Sequence, residues 1–258
     1  MTRRTLSAVR AVWLLAGLLT TPPALAAQKT IIISDSLAAN AERLNVKKGA
    51  QWIGQIALWR LGDYAVVSSK GGWTTTRTTG NFFNTETESA STEKFSFVFA
   101  NNTTDSATVN AARHVMVQSL RKLELGNGWS LGSDELVQEA DNFIAFVTLN
   151  RDTTETWALF MGVTTGDNTV GHYEAFLTNG RTRIVLVAAS SNKNVYDLRG
   201  PPALGYEFVE NGQSVAALQY FGGSASRAPI AWIHRRLDAR MKLVLAAAMT
   251  AVLQVKSL

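Results

Sequence analysis

Side chains able to do chemistry are sparse in this chain of 258 residues, which has no cysteine and three histidines, His114, His172 and His234. Without a thiol there is no thiolate nucleophile and no cysteine-held zinc or iron–sulfur cluster. No His-x-x-x-His pair is present, which removes the usual helical zinc arrangement. The expectation is a protein with no metal and no cofactor. The catalytic candidates reduce to Ser36, His172 and Glu174, a serine in Ser-Asp-Ser and the two polar ends of His172-Tyr173-Glu174. A serine hydroxyl attacks only when a neighbouring base takes its proton, so Ser36 needs a histidine brought to it by the fold. The acidic pairs Glu86/Glu88 and Asp134/Glu135 are of the type that serves glycoside hydrolysis. That chemistry depends on the spatial separation of the two carboxyls, which sequence spacing does not set.

Residues Ile31-Ile32-Ile33-Ser34-Asp35-Ser36-Leu37 resemble the Gly-Asp-Ser-Leu block of the GDSL esterases. The resemblance implies a nucleophile at Ser36, just after a first strand, and an Asp-x-x-His near the C-terminus as its base. Ser34 stands in place of the family's glycine. Ala231 and Thr169 lie three residues before His234 and His172, so the base is missing. Gly71-Gly72-Trp73 resembles the Gly-x-Trp of the lipocalins, which implies an exported barrel, but it falls well inside the chain. Ser224 lacks the second glycine of a nucleophile elbow, and phosphate-binding glycine loops are absent.

The elements that must carry these residues read mostly as strands. Phe95, Phe97 and Phe99 recur at period two, the mark of one buried strand face. Phe143–Leu149, Trp157–Val163 and Ile184–Ala189 are short apolar runs, which predicts strands buried on both faces. Further strands are expected at Trp52–Arg60 and Tyr64–Ser69 around Leu61-Gly62-Asp63, and in the threonine-rich stretches 74–79 and 85–92. Asn-Gly pairs occur at 127–128, 179–180 and 211–212. The last two predict hairpins of Tyr173–Thr178 with Thr182–Ala188, and of Tyr206–Val209 with Ser214–Tyr220. After Pro229 no glycine or proline remains, and Ile233, Leu237, Met241, Val244, Ala248, Val252 and Val255 form one apolar stripe. This predicts a helix over 229–255, capped by Ser226. Its apolar part, 243–255, spans about 20 Å, short of the roughly 30 Å of a bilayer core, so it is expected to be a core element rather than an anchor.

The N-terminus reads as a secretory signal over residues 1–26. Arg3, Arg4 and Arg10 precede the uncharged run Ala11–Leu19, and Ala24-Leu25-Ala26 supplies small residues for cleavage before Ala27. Arg3-Arg4 also resembles the start of a twin-arginine signal. The leader takes three cations with it, and the remaining chain holds 22 Lys+Arg against 20 Asp+Glu. That balance excludes the basic footprint of a nucleic-acid binder. The architecture expected for 27–258 is a single, mainly β domain, an antiparallel sandwich or open barrel with the long C-terminal helix packed against it. The functional expectation is an exported protein, periplasmic or extracellular, that binds a ligand or an envelope partner without catalysis. The alternatives are an exported hydrolase whose Ser, Asp, Glu or His residues converge only in the fold, and an outer-membrane β-barrel.

Overall fold

Period-two alternation becomes, in three dimensions, the wall of a closed barrel. The computed structural model describes residues 29–256 except 73, 81–85, 103–104, 121–122, 127–128, 132–134, 165–171, 193–200 and 224–227. The strands of the first half are β1 (Ala41–Lys48), β2 (Trp59–Leu61), β3 (Tyr64–Gly71), β4 (Thr75–Gly80), β5 (Glu86–Ala100), β6 (Ser106–Leu120), β7 (Leu123–Gly126) and β8 (Trp129–Leu131). Those of the second half are β9 (Glu135–Leu149), β10 (Asp152–Thr164), β11 (His172–Thr178), β12 (Arg183–Ser190), β13 (Ala203–Glu210), β14 (Gln213–Gly222) and β15 (Ile230–His234). Two helices complete the list, α1 (Asp35–Asn40) and α2 (Ala239–Lys256).

Neighbours along the chain pair antiparallel almost throughout, and β1 pairs with β15 to join the two ends of the meander. The strip β3–β5 closes the remaining gap, giving twelve staves, while β4 continues the edge of β5 beyond β3. The barrel is therefore closed rather than open, and is not a sandwich. Closure satisfies the edge groups that an open sheet would leave exposed.

A barrel of this many strands leaves a lumen that wall side chains alone do not fill. Helix α2 fills it. Thirteen consecutive residues, Leu243–Val255, are buried all round, including Thr250 and Gln254. Ala246, Ala247, Ala248 and Ala251 give the helix a slim girth among Phe97, Phe99, Val109, Val147, Leu159, Leu177, Phe208 and Leu218 of the wall. The expectation of a helix laid against the sheet is corrected: it runs within the barrel. Its two buried polar groups are satisfied. Thr250 Oγ1 donates to the Ala246 carbonyl at 2.8 Å, and the Trp59 indole donates to Gln254 Oε1 at 3.2 Å. Replacing Gln254 by Leu should cost about 1–3 kcal/mol, because the Trp59 N–H is left without its acceptor. Urea unfolding checks this, and the double variant with Trp59→Phe should lose less than the two single losses together.

The helix also begins later than expected. Residues 230–234 form β15, and α2 starts at Ala239, capped by Asp238, whose Oδ1 accepts from the Met241 amide at 2.7 Å. Ile230-Ala231-Trp232-Ile233 is buried on both faces, and a run apolar at every position satisfies helical and strand periods alike. Ser226 lies outside the described residues. Arg240 then ties the start of α2 to β10 through Asp152 and Glu155, each at 2.7 Å. No helix among the described residues is long and apolar enough to cross a membrane.

Several local readings change. The strand expected over 52–60 shrinks to Trp59–Leu61, and Ile31–Ile33 lie in no strand. The hairpins β11–β12 and β13–β14 form as expected, with different turns. Asn211 and Gly212 take the two positive φ values of a type I′ turn, +49° and +77°. Between β11 and β12 four residues turn, and the Asn179 side chain accepts from the amides of Arg181 and Thr182. Asn127-Gly128 and Trp73 lie outside the described residues. Finally, β9, β10 and β12 are not buried on both faces. Their inner residues are buried, whereas Ile144, Phe146, Val185 and Val187 are exposed on the outside and Phe160, with Phe176 of the intervening β11, is half-buried there.

Candidate functional site

The exterior wall of β13–β15 is itself covered, by residues 29–40. Ile31 and Leu37 are buried against Ala203, Ala217, Ile230 and Trp232, forming a small second core outside the barrel. Polar bonds hold this strap in register. The Ile31 amide donates to Gln219 Oε1 at 3.0 Å, the Ile32 amide to the Ser190 carbonyl at 3.0 Å, and the Ser34 amide to Glu207 Oε1 at 2.8 Å. Gly205 makes the close approach possible, since a Cβ there would stand 2.8 Å from Ile31 Cδ1.

Where the strap ends in α1, it leaves a cleft of about 660 Å³ against the β13–β14 hairpin and the end of β15. Ser36 and Asn40 of α1 face Glu207, Glu210, Gln213 and Ser214 across it, with His234 and Arg236 at one side. Val209, Val215 and Leu237 give it apolar patches. Burial raises the Glu207 carboxyl, but the bonds from the Ser214 hydroxyl and the Ser34 amide outweigh that and hold it below the ordinary carboxylate range. The Ser34 hydroxyl is buried at the same place without a well-formed hydrogen bond.

Of the three catalytic candidates, Ser36 alone lines this cleft. His234 lines it too, but its Nδ1 accepts from the Arg236 amide at 3.2 Å, and among the described residues no serine hydroxyl is hydrogen-bonded to a histidine. Glu174 points outward from β11 and pairs with Arg183 at 2.9 Å. His172 opens β11, but its side chain lies outside the described set, as do those of Glu86, Glu88, Asp134 and Glu135. Among the described residues no group of three His, Cys, Asp or Glu is placed to hold a metal. Sequence reasoning missed Glu207, Ser214 and Arg236. For Glu207 and Ser214 the only signal was polarity on a strand whose other face is apolar, and for Arg236 a charge in the turn after β15; neither separates a cleft from open solvent. The chain matches no protein-family model, and no characterised protein or solved structure matches it either.

Proposed function

We propose that the chain is an exported, non-enzymatic binding protein whose cleft between α1 and the β13–β14 hairpin takes a neutral, hydroxyl-rich ligand of the saccharide class. The observation that carries the reading is the lining itself. Serine hydroxyls, the side-chain amides of Asn40 and Gln213, two carboxylates and one guanidinium line it together with the apolar Val209, Val215 and Leu237. A mixed set of donors and acceptors of nearly balanced charge suits a polyol better than an ion. The filled lumen supports a site on the outside, because α2 occupies the space in which a ligand-carrying barrel would hold its cargo.

Hydrolysis is the weaker reading at this cleft. Glycoside cleavage needs one carboxyl kept protonated as the acid, a role that the bonds from Ser214 and Ser34 take from Glu207. Ser36 has no hydrogen-bonded base, so it lacks the activation that ester cleavage requires. A membrane-spanning barrel is also weaker, because its outside needs an unbroken apolar band. Here Phe146 stands beside Asn110 in register, followed by Ser96 and then Lys70 on the next strands. The one-sided strip of Ile144, Phe146, Val185 and Val187 is the feature that favours a second reading, a protein that binds an envelope partner.

The test is an NMR titration of the mature chain with maltotriose and diacetylchitobiose. Saturable shifts are expected at the amides of Ser36, Gln213 and Arg236, with both sugars recovered intact. Arg236→Ala should weaken binding by roughly tenfold, the effect of one lost charge-assisted bond. Ser36→Ala should leave any residual ester hydrolysis unchanged. Cleaved sugar, or an esterase activity that disappears in Ser36→Ala, would overturn the reading, as would an absence of shifts with both sugars.

A further inference from the structure

The barrel end at which α2 finishes carries a second pocket, remote from the cleft and independent of the reading above. It has a volume of about 210 Å³ and is lined by Asp141, Phe143, Met161, Val163, Tyr173, Val255 and Lys256. Its floor is apolar and belongs to the wall and to the last turn of α2. Its rim carries one group of each charge.

Asp141 is set in place by Arg113, whose Nε and one Nη atom donate to its two oxygens at 2.8 Å each. This fork holds the carboxyl below its ordinary range, and the charge of Lys256 acts in the same direction. A carboxylate has lone pairs for about four donors, and the fork uses two. The Asp141 side chain remains 40% exposed, so the others face outward. Lys256 is the last residue of α2, with Nζ 5.8 Å from the centre of the Tyr220 ring. Tyr220 packs on Tyr206 at 5.6 Å, and Tyr206 shares a hydrogen bond with Tyr173, so three rings brace this side of the mouth. Tyr173 is half exposed over the pocket. It is the middle residue of the His172-Tyr173-Glu174 segment singled out from the sequence.

A bare cation in this pocket meets Lys256, and a bare anion meets Asp141. Asp141 is already paired with Arg113, but a neutral apolar molecule would cover its outward side and Lys256 without bonding to either. The group that answers both is a zwitterion whose body is apolar. We propose that this pocket binds a small zwitterion of the α-amino-acid class with an aliphatic side chain. Its ammonium sits on Asp141, its carboxylate on Lys256 and its side chain on Phe143, Met161 and Val163. The volume fits one such molecule and is below the range of about 300–1,000 Å³ usual for larger ligands.

The probe is L-leucine, added to the full mature chain and followed by NMR at the amides of Tyr173, Val255 and Lys256. Saturable shifts are expected. Isoamylamine, which lacks the carboxylate, and 4-methylpentanoate, which lacks the ammonium, should each bind about tenfold more weakly, the cost of one charge-assisted bond. Lys256→Ala should erase the preference for leucine over isoamylamine while leaving its preference over 4-methylpentanoate. Asp141→Asn should do the reverse. Lys256 is exposed, so its variant keeps the test valid even if loss of Asp141 disturbs the fold around Arg113. The proposal fails if leucine gives no saturable shift, if either analogue binds as tightly as leucine, or if Lys256→Ala leaves the preference intact.

Discussion

A chain ending at Asp238 should show no cooperative unfolding transition in urea or on heating, and should bind a hydrophobic dye as a collapsed, loosely packed state. Such a chain keeps every strand of the barrel but lacks α2, and its wall would enclose a lumen with no contents. Protein interiors are close-packed, and empty space of that size forfeits contacts from every inward side chain. The helix's own contribution is large on the same grounds. Full burial of Leu243, Val244, Leu245, Val252 and Leu253 contributes about 1.5–3 kcal/mol for each side chain. That total is as large as the roughly 5–15 kcal/mol by which a domain is stable. Leu245→Asp makes the same point with the chain length unchanged, since it places a carboxylate where the native side chain is fully buried. A truncated chain that melts like the full one, or a soluble and cooperative Leu245→Asp variant, would show that the barrel stands without its contents.

Gly205→Ala should destabilise the fold by about 1–3 kcal/mol and loosen the strap at the same time. Its Cβ would lie 2.2 Å from the Leu218 carbonyl oxygen, a backbone atom that has no rotamer to move into, and 2.8 Å from Ile31 Cδ1. Gly205 follows a register shift in β13, so β13 and β14 are already irregular beside it. The distinguishing measurement is hydrogen exchange. The amides of Ile31, Ile32 and Ser34 are bonded to the barrel, and their protection should fall more than that of the β5–β6 ladder. Because α1 is one wall of the cleft, saccharide binding should weaken in the same variant. Uniform loss of protection across the barrel would mean that Gly205 matters to the wall alone.

Alternation at Phe95, Phe97 and Phe99 produced its strand, the two later Asn-Gly pairs produced their hairpins, one of them through a longer turn, and the apolar C-terminal run produced a helix over its later part. The missing thiol and the lack of an Asp-x-x-His were equally legible, because they concern which residues exist. What the strands enclose was not legible. Leu243–Leu253 is apolar on nearly every side, which says that the helix is surrounded but not by what, and a sheet surface and a barrel lumen satisfy it equally. The same ambiguity hid β15, whose four apolar residues suit a helix until pairing with β1 and β14 uses both edges of the strand and the two cores take its two faces. Closure itself depends on β1 meeting β15 across almost the whole chain, a pairing that no local period encodes. The cleft and the mouth pocket follow from it. Ser36 and Glu207 line one cleft, and Asp141 and Lys256 one pocket, only because the strap, the hairpins and α2 are all measured against the same closed wall.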